Sequence, residues 1–260
     1  MQRFIDCLKL LLNQKQFCEL HYDLDGLVKV LKDSVEFFET GVLPDDLESL
    51  KFLNRFLEVH LEMPHDDLLC KLWNEIGTNL HLGQITTPMI ICDYMNGQVL
   101  PMTFKKFKEE ERPYIFILDP ACGSGIFAVS AYNQFRGYPE WDKCVFHQID
   151  IDLRCCYMTI LNLLIRNFNA VVWNADAFAL MSGEYQIEHG NPLQGWILKS
   201  GKKISDLYKM TKEESYDCFK RTFGTEDQQR EKNEVKPLKK DFLILKIILN
   251  TVSLLQKKHV

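Results

Sequence analysis

The chemistry-bearing residues of this chain cluster where strands should end. Leu118-Asp119-Pro120-Ala121-Cys122-Gly123-Ser124-Gly125 joins an apolar run, Tyr114-Ile115-Phe116-Ile117, to a helical pattern opening at Ile126-Phe127-Ala128. A strand, a glycine turn and a helix in that order place a ligand beyond the strand's carboxyl end. Glycine reaches positive φ there and carries no Cβ to hold a ligand off the backbone. A second apolar run ends in Gln148-Ile149-Asp150-Ile151-Asp152. Alternation along a strand gives Asp150 and Asp152 a shared direction, so either carboxylate can reach the same ligand. A third run, Ala170 to Asn174, is followed by Ala175-Asp176-Ala177-Phe178, which taken alone is an ordinary strand exit.

These residues need a particular frame. Apolar signals with strand and helix character alternate from Tyr114 to about Phe178, with strands expected at 114–118, 145–150 and 170–174 and a helix from Arg154 to Ile165. Alternation of that kind builds a doubly wound α/β sheet. Upstream, residues 1–80 carry apolar positions at helical spacing (Leu27, Val30, Leu31, Val35; Phe52, Leu53, Phe56, Leu57), and Asp45-Asp46-Leu47-Glu48 reads as a helix start. Thr87 precedes Pro88 as an expected N-cap, and Met89 to Met95 opens the helix behind it. Asp152 is expected to cap the helix beginning near Leu153. The expected organisation is a helical N-terminal region (1–80), an α/β core (81–198) and a charged helical tail (199–260), with helix at 209–220 and 228–235 and a strongly apolar stretch at 242–249.

Composition removes several classes of function. The 260 residues carry a net charge of −5, too acidic for a protein that coats nucleic acid by bulk electrostatics. The charge is uneven: residues 199–260 hold 15 Lys and Arg against 9 Asp and Glu, a net of +6, which leaves −11 on the rest. That tail could meet DNA phosphates or could be a solvated helical surface. Nine cysteines without a Cys-x-x-Cys pair support neither a disulfide framework nor a zinc site, and no metal is expected. No apolar run reaches the length of a spanning helix, and the N-terminus lacks a signal-peptide pattern, so a soluble, cytoplasmic protein is expected.

A dinucleotide site competes for the same frame, because it too sets a carboxylate at the end of the second strand. The first turn disfavours it: Ala128 stands where the third glycine of Gly-x-Gly-x-x-Gly belongs, and the leading Asp119-Pro120 is foreign to that pattern.

The Asp-Pro-Ala-Cys-Gly-Ser-Gly string resembles the S-adenosylmethionine (SAM) loop of the N6-adenine DNA methyltransferases, especially the modification subunits of type I restriction systems. The resemblance runs from about residue 80 to 180 in four ordered segments, and it implies a Rossmann-like SAM-dependent methyltransferase sheet. It implies cofactor contacts from Asp119, Ala121, Gly123 and Gly125 in the first loop. Asp150 would accept the ribose hydroxyls, with Ile151 against the adenine. Asp176 would take the adenine amino group, with Phe178 packing on the ring. Gly83-Gln84-x-x-Thr87-Pro88 resembles the family segment that closes over the methionine end, so Thr87 and Pro88 join the set.

The chain departs from the family at catalysis. The family polarises a flipped adenine with Asn-Pro-Pro-Tyr or Asn-Pro-Pro-Phe, and this sequence holds neither. Two readings stay open. In one, Asn191 and Pro192 of Asn191-Pro192-Leu193-Gln194 are the catalytic pair, with Trp196 the nearest ring. In the other, Tyr185 to Leu193 resembles a stretch that larger members carry ahead of their catalytic segment, and the chain is then expected to stop short of it. His189 has no role in the family's chemistry and reads as structural or solvated. The expected function is adenine-specific DNA N6-methylation with DNA as partner; the alternative is a non-catalytic SAM-binding module that works beside a specificity or partner subunit.

Overall fold

The computed structural model describes residues 24–76, 86–111, 113–178 and 193–223. Three helices come first: α1 (Leu24–Thr40), α2 (Leu47–Glu62) and α3 (Leu68–Ile76). The apolar spacing sets which faces they bury. Leu27, Leu31 and Val35 of α1 and Phe52, Phe56 and Val59 of α2 are fully enclosed, and the Phe52 and Phe56 rings stack at 6.2 Å. Helix α2 starts where the sequence leads one to expect, and Asp46 caps it by accepting from Ser49 N at 3.0 Å.

Helix α4 (Met89–Glu109) follows, and its cap differs from expectation. Pro88, not Thr87, occupies the N-cap position in an extended conformation, with no side-chain capping bond. Proline has no amide hydrogen to leave unsatisfied there.

A five-stranded sheet then forms from β1 (Ile115–Asp119), β2 (Cys144–Asp150), β3 (Ala170–Asn174), β4 (Gln194–Lys199) and β5 (Asp206–Lys209), in the order β1-β2-β3-β4-β5. The first three strands are parallel, joined through α5 (Ile126–Phe135) and α6 (Leu153–Leu164); β4 and β5 are antiparallel to their neighbours. Helix α7 (Lys212–Phe223) ends the described chain. The fold is thus mixed α/β with an open mixed sheet.

One sheet face carries the main core, where Phe146, Ala170, Val172, Trp196 and Leu198 meet α6 and the helices α1 to α3. Ten of the twelve α6 residues are buried, as a helix pressed between a sheet and other helices requires. The opposite face holds a smaller cluster of Ile149, Val171, Trp173, Ala175, Leu193 and Met210, against which Tyr216 and Cys218 of α7 pack.

Three elements depart from the sequence reading. The first strand is shifted by one residue, so Asp119 is its last member and not the first residue of the loop. Strands β4 and β5 were not expected, and Lys209 ends β5 instead of starting a helix. The helix starts after Thr211, whose Oγ1 accepts from Glu214 N (3.2 Å) while Glu214 Oε2 accepts from Thr211 N (2.8 Å), a reciprocal capping box. The expected features at 228–235 and 242–249 lie outside the described residues. Among the described residues no helix is long and apolar enough to cross a membrane.

Candidate ligand site at the carboxyl ends of β1 to β3

The site is built on the turn after β1. Gly123 (φ 57°) and Gly125 (φ 84°) both adopt the left-handed region that β-carbon-bearing residues resist. At Gly125 a second reason applies: a Cβ would stand 3.2 Å from Thr159 Oγ1 and 3.3 Å from its Cγ2. Helix α6 therefore presses directly on the turn. Thr159 Oγ1 donates to Gly123 O at 2.9 Å, and Gly125 N donates to Cys122 O at 2.8 Å.

The parallel register brings the expected acids together. Asp119 pairs with Gln148 and Asp150 with Asn174, so the ends of the three strands stand side by side. Cys122 N donates to Ile149 O (2.9 Å) and Gly123 N to Asp150 Oδ2 (2.8 Å), which ties the glycine turn to the end of β2. Asp150 Oδ1 accepts from Asp152 N at 2.9 Å. Each Asp150 oxygen thus has one backbone donor and retains lone-pair capacity for a ligand hydroxyl. Burial pushes Asp150 above the usual carboxylate range, and the amides of Asp152 and Gly123 work against that.

Asp119 is the least satisfied group of the set. Its Oδ1 accepts from Ala121 N at 3.2 Å, while Oδ2 is buried without a hydrogen-bond partner. The residue as a whole is partly exposed, so the enclosure is of that oxygen and not of the backbone. Burial raises its carboxyl to about 7; the Ala121 amide opposes the rise and the nearby Asp150 charge adds to it. A buried acceptor of this kind suits a ligand group that donates hydrogen bonds and carries positive charge.

Past β3, Asp176 Oδ1 accepts from Phe178 N at 2.9 Å in an Asx turn that leaves the Phe178 ring 71% exposed. Ile151, following Asp150, is 56% exposed. Two apolar side chains are thus presented to solvent at the ends of adjacent strands, where a flat heterocycle could cover them. Ala121 is exposed. Thr87 and Pro88 stand at the start of α4, whose Met89 and Cys92 pack on Ile126 and Phe127 at the start of α5, so this segment shares the glycine-turn end of the sheet. Thr86 Oγ1 holds it to α3 by donating to Asn74 Oδ1 at 2.6 Å.

Asp152 has the structural role expected of it. It caps α6 by accepting from Arg154 N and forms a close ion pair with the Arg154 guanidinium, which lies over the Trp73 ring at 5.0 Å. Gly83, Gln84, His189, Asn191 and Pro192 lie outside the described residues. Trp196, the ring nearest to Asn191 in sequence, is 1% exposed in β4 and packs edge-on to Tyr157 at 5.8 Å. It cannot stack on a base from that position.

Sequence reasoning missed four residues that hold the site: Thr159, Asn174, Asn162 and Asp67. Asn174 Nδ2 donates to the carbonyls of Asp150 (3.1 Å) and Ile151 (2.9 Å), fixing the exit of β2 from the end of β3. Its signal was its place as the last polar residue of an apolar strand. Asp67 and Asn162 act on the turn from far away in sequence.

No family model, no curated protein and no solved structure matches this chain.

Proposed function

We propose that this chain binds SAM at the carboxyl ends of β1 to β3 and serves adenine-specific N6-methylation of DNA in the manner of a restriction-modification methyltransferase. The observation that carries the reading is the convergence of Asp119, the Gly123 to Gly125 turn, Asp150 and Asp176 at three adjacent strand ends, in the order of the family segments they resemble. The residues fit the group. Asp119 Oδ2 is a buried acceptor lacking a donor, Asp150 has lone pairs for ribose hydroxyls, and Ile151 and Phe178 offer apolar surface to an adenine. SAM, when bound, supplies an electrophilic methyl group on a sulfonium. The chain's part is to hold and orient the donor, and such positioning is a large share of what a transferase provides. Asn191 and Pro192 are the proposed polarising pair for the adenine amino group, and DNA is the proposed partner in a cytoplasmic setting.

One observation favours the second reading, a SAM-binding module completed by another chain. Ligand crevices of open α/β sheets lie where strand order reverses, between two halves of a sheet. Among the described residues β1 is an edge strand, with β2 as its one neighbour and Phe116 48% exposed. The wall that would face β1 across such a crevice is not among the described elements.

Single-molecule mapping of N6-methyladenine in DNA from a methylase-deficient host expressing this chain separates the readings. A methylated motif, absent with Asp119→Ala, supports the transferase. No methylation, together with micromolar SAM binding by calorimetry, supports the module. Failure to bind SAM at all overturns both.

A further inference from the structure

We infer that Asp67, 57 residues before Ser124 in sequence and outside the strand ends, is a positioning residue that locks the Gly123-Ser124-Gly125 turn in its ligand-receiving shape. The inference rests on the SAM reading for the identity of the ligand, though not for the lock itself.

The geometry is a closed polar circuit between the segment entering α3, the glycine turn and α6. Asp67 Oδ2 accepts from Ser124 Oγ at 2.6 Å, and Oδ1 accepts from Asn162 Nδ2 at 2.9 Å and from Cys70 N at 2.8 Å. Asn162 Nδ2 also donates to Ser124 O at 2.8 Å, so the serine is held by its side chain and its main chain together. Arg166 closes the circuit. Its Nη1 donates to Asn162 O (2.9 Å) and Oδ1 (3.1 Å), and its Nη2 to Pro64 O (3.1 Å) and Asp66 O (2.8 Å). Asp67, Ser124, Asn162 and Arg166 are each no more than 6% exposed.

Capping does not account for this arrangement. The bond from Cys70 N is an ordinary N-cap interaction, which an uncharged Ser or Thr supplies as well. Burial raises the Asp67 carboxyl above its usual range against the pull of three hydrogen-bond donors and the Arg166 charge, so the fold keeps a costly acid where a serine would cap as well. What the longer carboxyl side chain adds over a serine is reach: it spans from the α3 cap to the one residue between two left-handed glycines. Those glycines give the turn freedom that the unfolded chain and a slack loop would both exploit, and the Asp67 bond to Ser124 removes it. Thr159 fixes the turn from α6 through Gly123 O, so the two sides of the turn are held by different elements.

The test uses Asp67→Ser, which keeps a capping oxygen but cannot reach Ser124, and Ser124→Ala, which cuts the same bond from the other side with a smaller disturbance. Leu69→Val, at a fully buried α3 position, serves as the control for general loosening of the helix. Two quantities are read in the full chain: SAM affinity by calorimetry, and amide hydrogen exchange over residues 122–125. The expected result is a SAM affinity at least tenfold weaker and faster exchange at the turn for both Asp67→Ser and Ser124→Ala, with the double variant no weaker than the worse single one. Leu69→Val leaves both quantities unchanged. Wild-type affinity and exchange in Ser124→Ala, or equal losses in Leu69→Val, overturn the inference. If the wild type itself does not bind SAM, the cofactor reading falls, and the exchange rates alone decide whether the lock exists.

Discussion

Asp119 carries a burial cost that grows as its carboxyl ionises. Its carboxyl is raised in the folded protein to about 7 from 3.8, so its contribution to stability is fully present below about pH 4 and is lost as pH rises through 7. Asp67 and Asp150 are raised by burial in the same direction, so Asp119 is one part of the slope. Asp119→Asn is expected to melt higher than wild type at pH 8 by about 1–4 kcal/mol of stability, with the difference shrinking toward pH 4. The same variant is expected to lose SAM binding, because the removed charge is what a cationic ligand group would neutralise. Thermal melts of both proteins at pH 4 and pH 8, with and without SAM, check this; parallel melting curves across pH would contradict it. The two glycines separate strain from crowding. Gly123→Ala meets open space and suffers from its φ of 57° alone, about 1 kcal/mol. Gly125→Ala adds a tight contact with the Thr159 side chain to a φ of 84° and is expected to cost more, about 2–3 kcal/mol, by urea titration.

At the scale of elements, what the sequence made legible was what chain-local patterns encode. Strand β3 is an apolar run but for its last residue, and β2 is buried at five of seven positions, as parallel strands covered on both faces should be; the expected bounds 145–150 and 170–174 match Cys144–Asp150 and Ala170–Asn174 closely. The helix start at Asp45 to Glu48 and the cap at Asp152 were legible because capping is a local exchange between a side chain and an amide two or three residues on. Strands β4 and β5 were not, because their apolar stretches, Trp196-Ile197-Leu198 and Leu207-Tyr208, are too short to stand out within a polar segment, and antiparallel pairing with β3 and with each other completes them as strands. At the candidate site, the gathering of Asp119, Gly123, Gly125 and Asp150 at strand ends was legible from their place after apolar runs, whereas Asp176 was singled out by the resemblance alone. Asp67, Asn162 and Thr159 are partners in space, and no spacing in the sequence announces a bond across 57 or 95 residues. Strand β4 nevertheless contributes heavily to the core, most of all through its largest side chain, Trp196. Trp196→Ala is expected to destabilise the fold by about 3–5 kcal/mol, as a buried tryptophan between Tyr157 and the sheet should, and a drop of less than 1 kcal/mol in denaturant unfolding would show that β4 is peripheral.

For the whole molecule, the sequence pattern that changes near residue 80 does not mark a boundary between cores. Leu27, Leu31 and Val35 of α1, Phe56 of α2 and Trp73 of α3 share one hydrophobic cluster with Phe146 of β2 and Ile160 and Leu164 of α6. Helix α6 is buried on nearly every side, and removing α1 to α3 would open the cluster it shares with them to water. Each large apolar side chain so uncovered forfeits about 1.5–3 kcal/mol, and a few of them reach into the range of about 5–15 kcal/mol that holds a typical domain together. The polar circuit would be cut as well, because Ser124 Oγ loses its Asp67 acceptor and Arg166 loses the Pro64 and Asp66 carbonyls in a buried setting. A fragment of residues 86–260 is therefore expected to lack a cooperative unfolding transition and near-ultraviolet circular dichroism, although it retains every residue proposed to touch SAM. Adding residues 24–76 as a separate chain should restore both signals if the helices are a true part of the core. A fragment that unfolds cooperatively alone and binds SAM as the full chain does would show instead that the helical region is an appendage, and that the cofactor turn is held by Thr159 without help from Asp67.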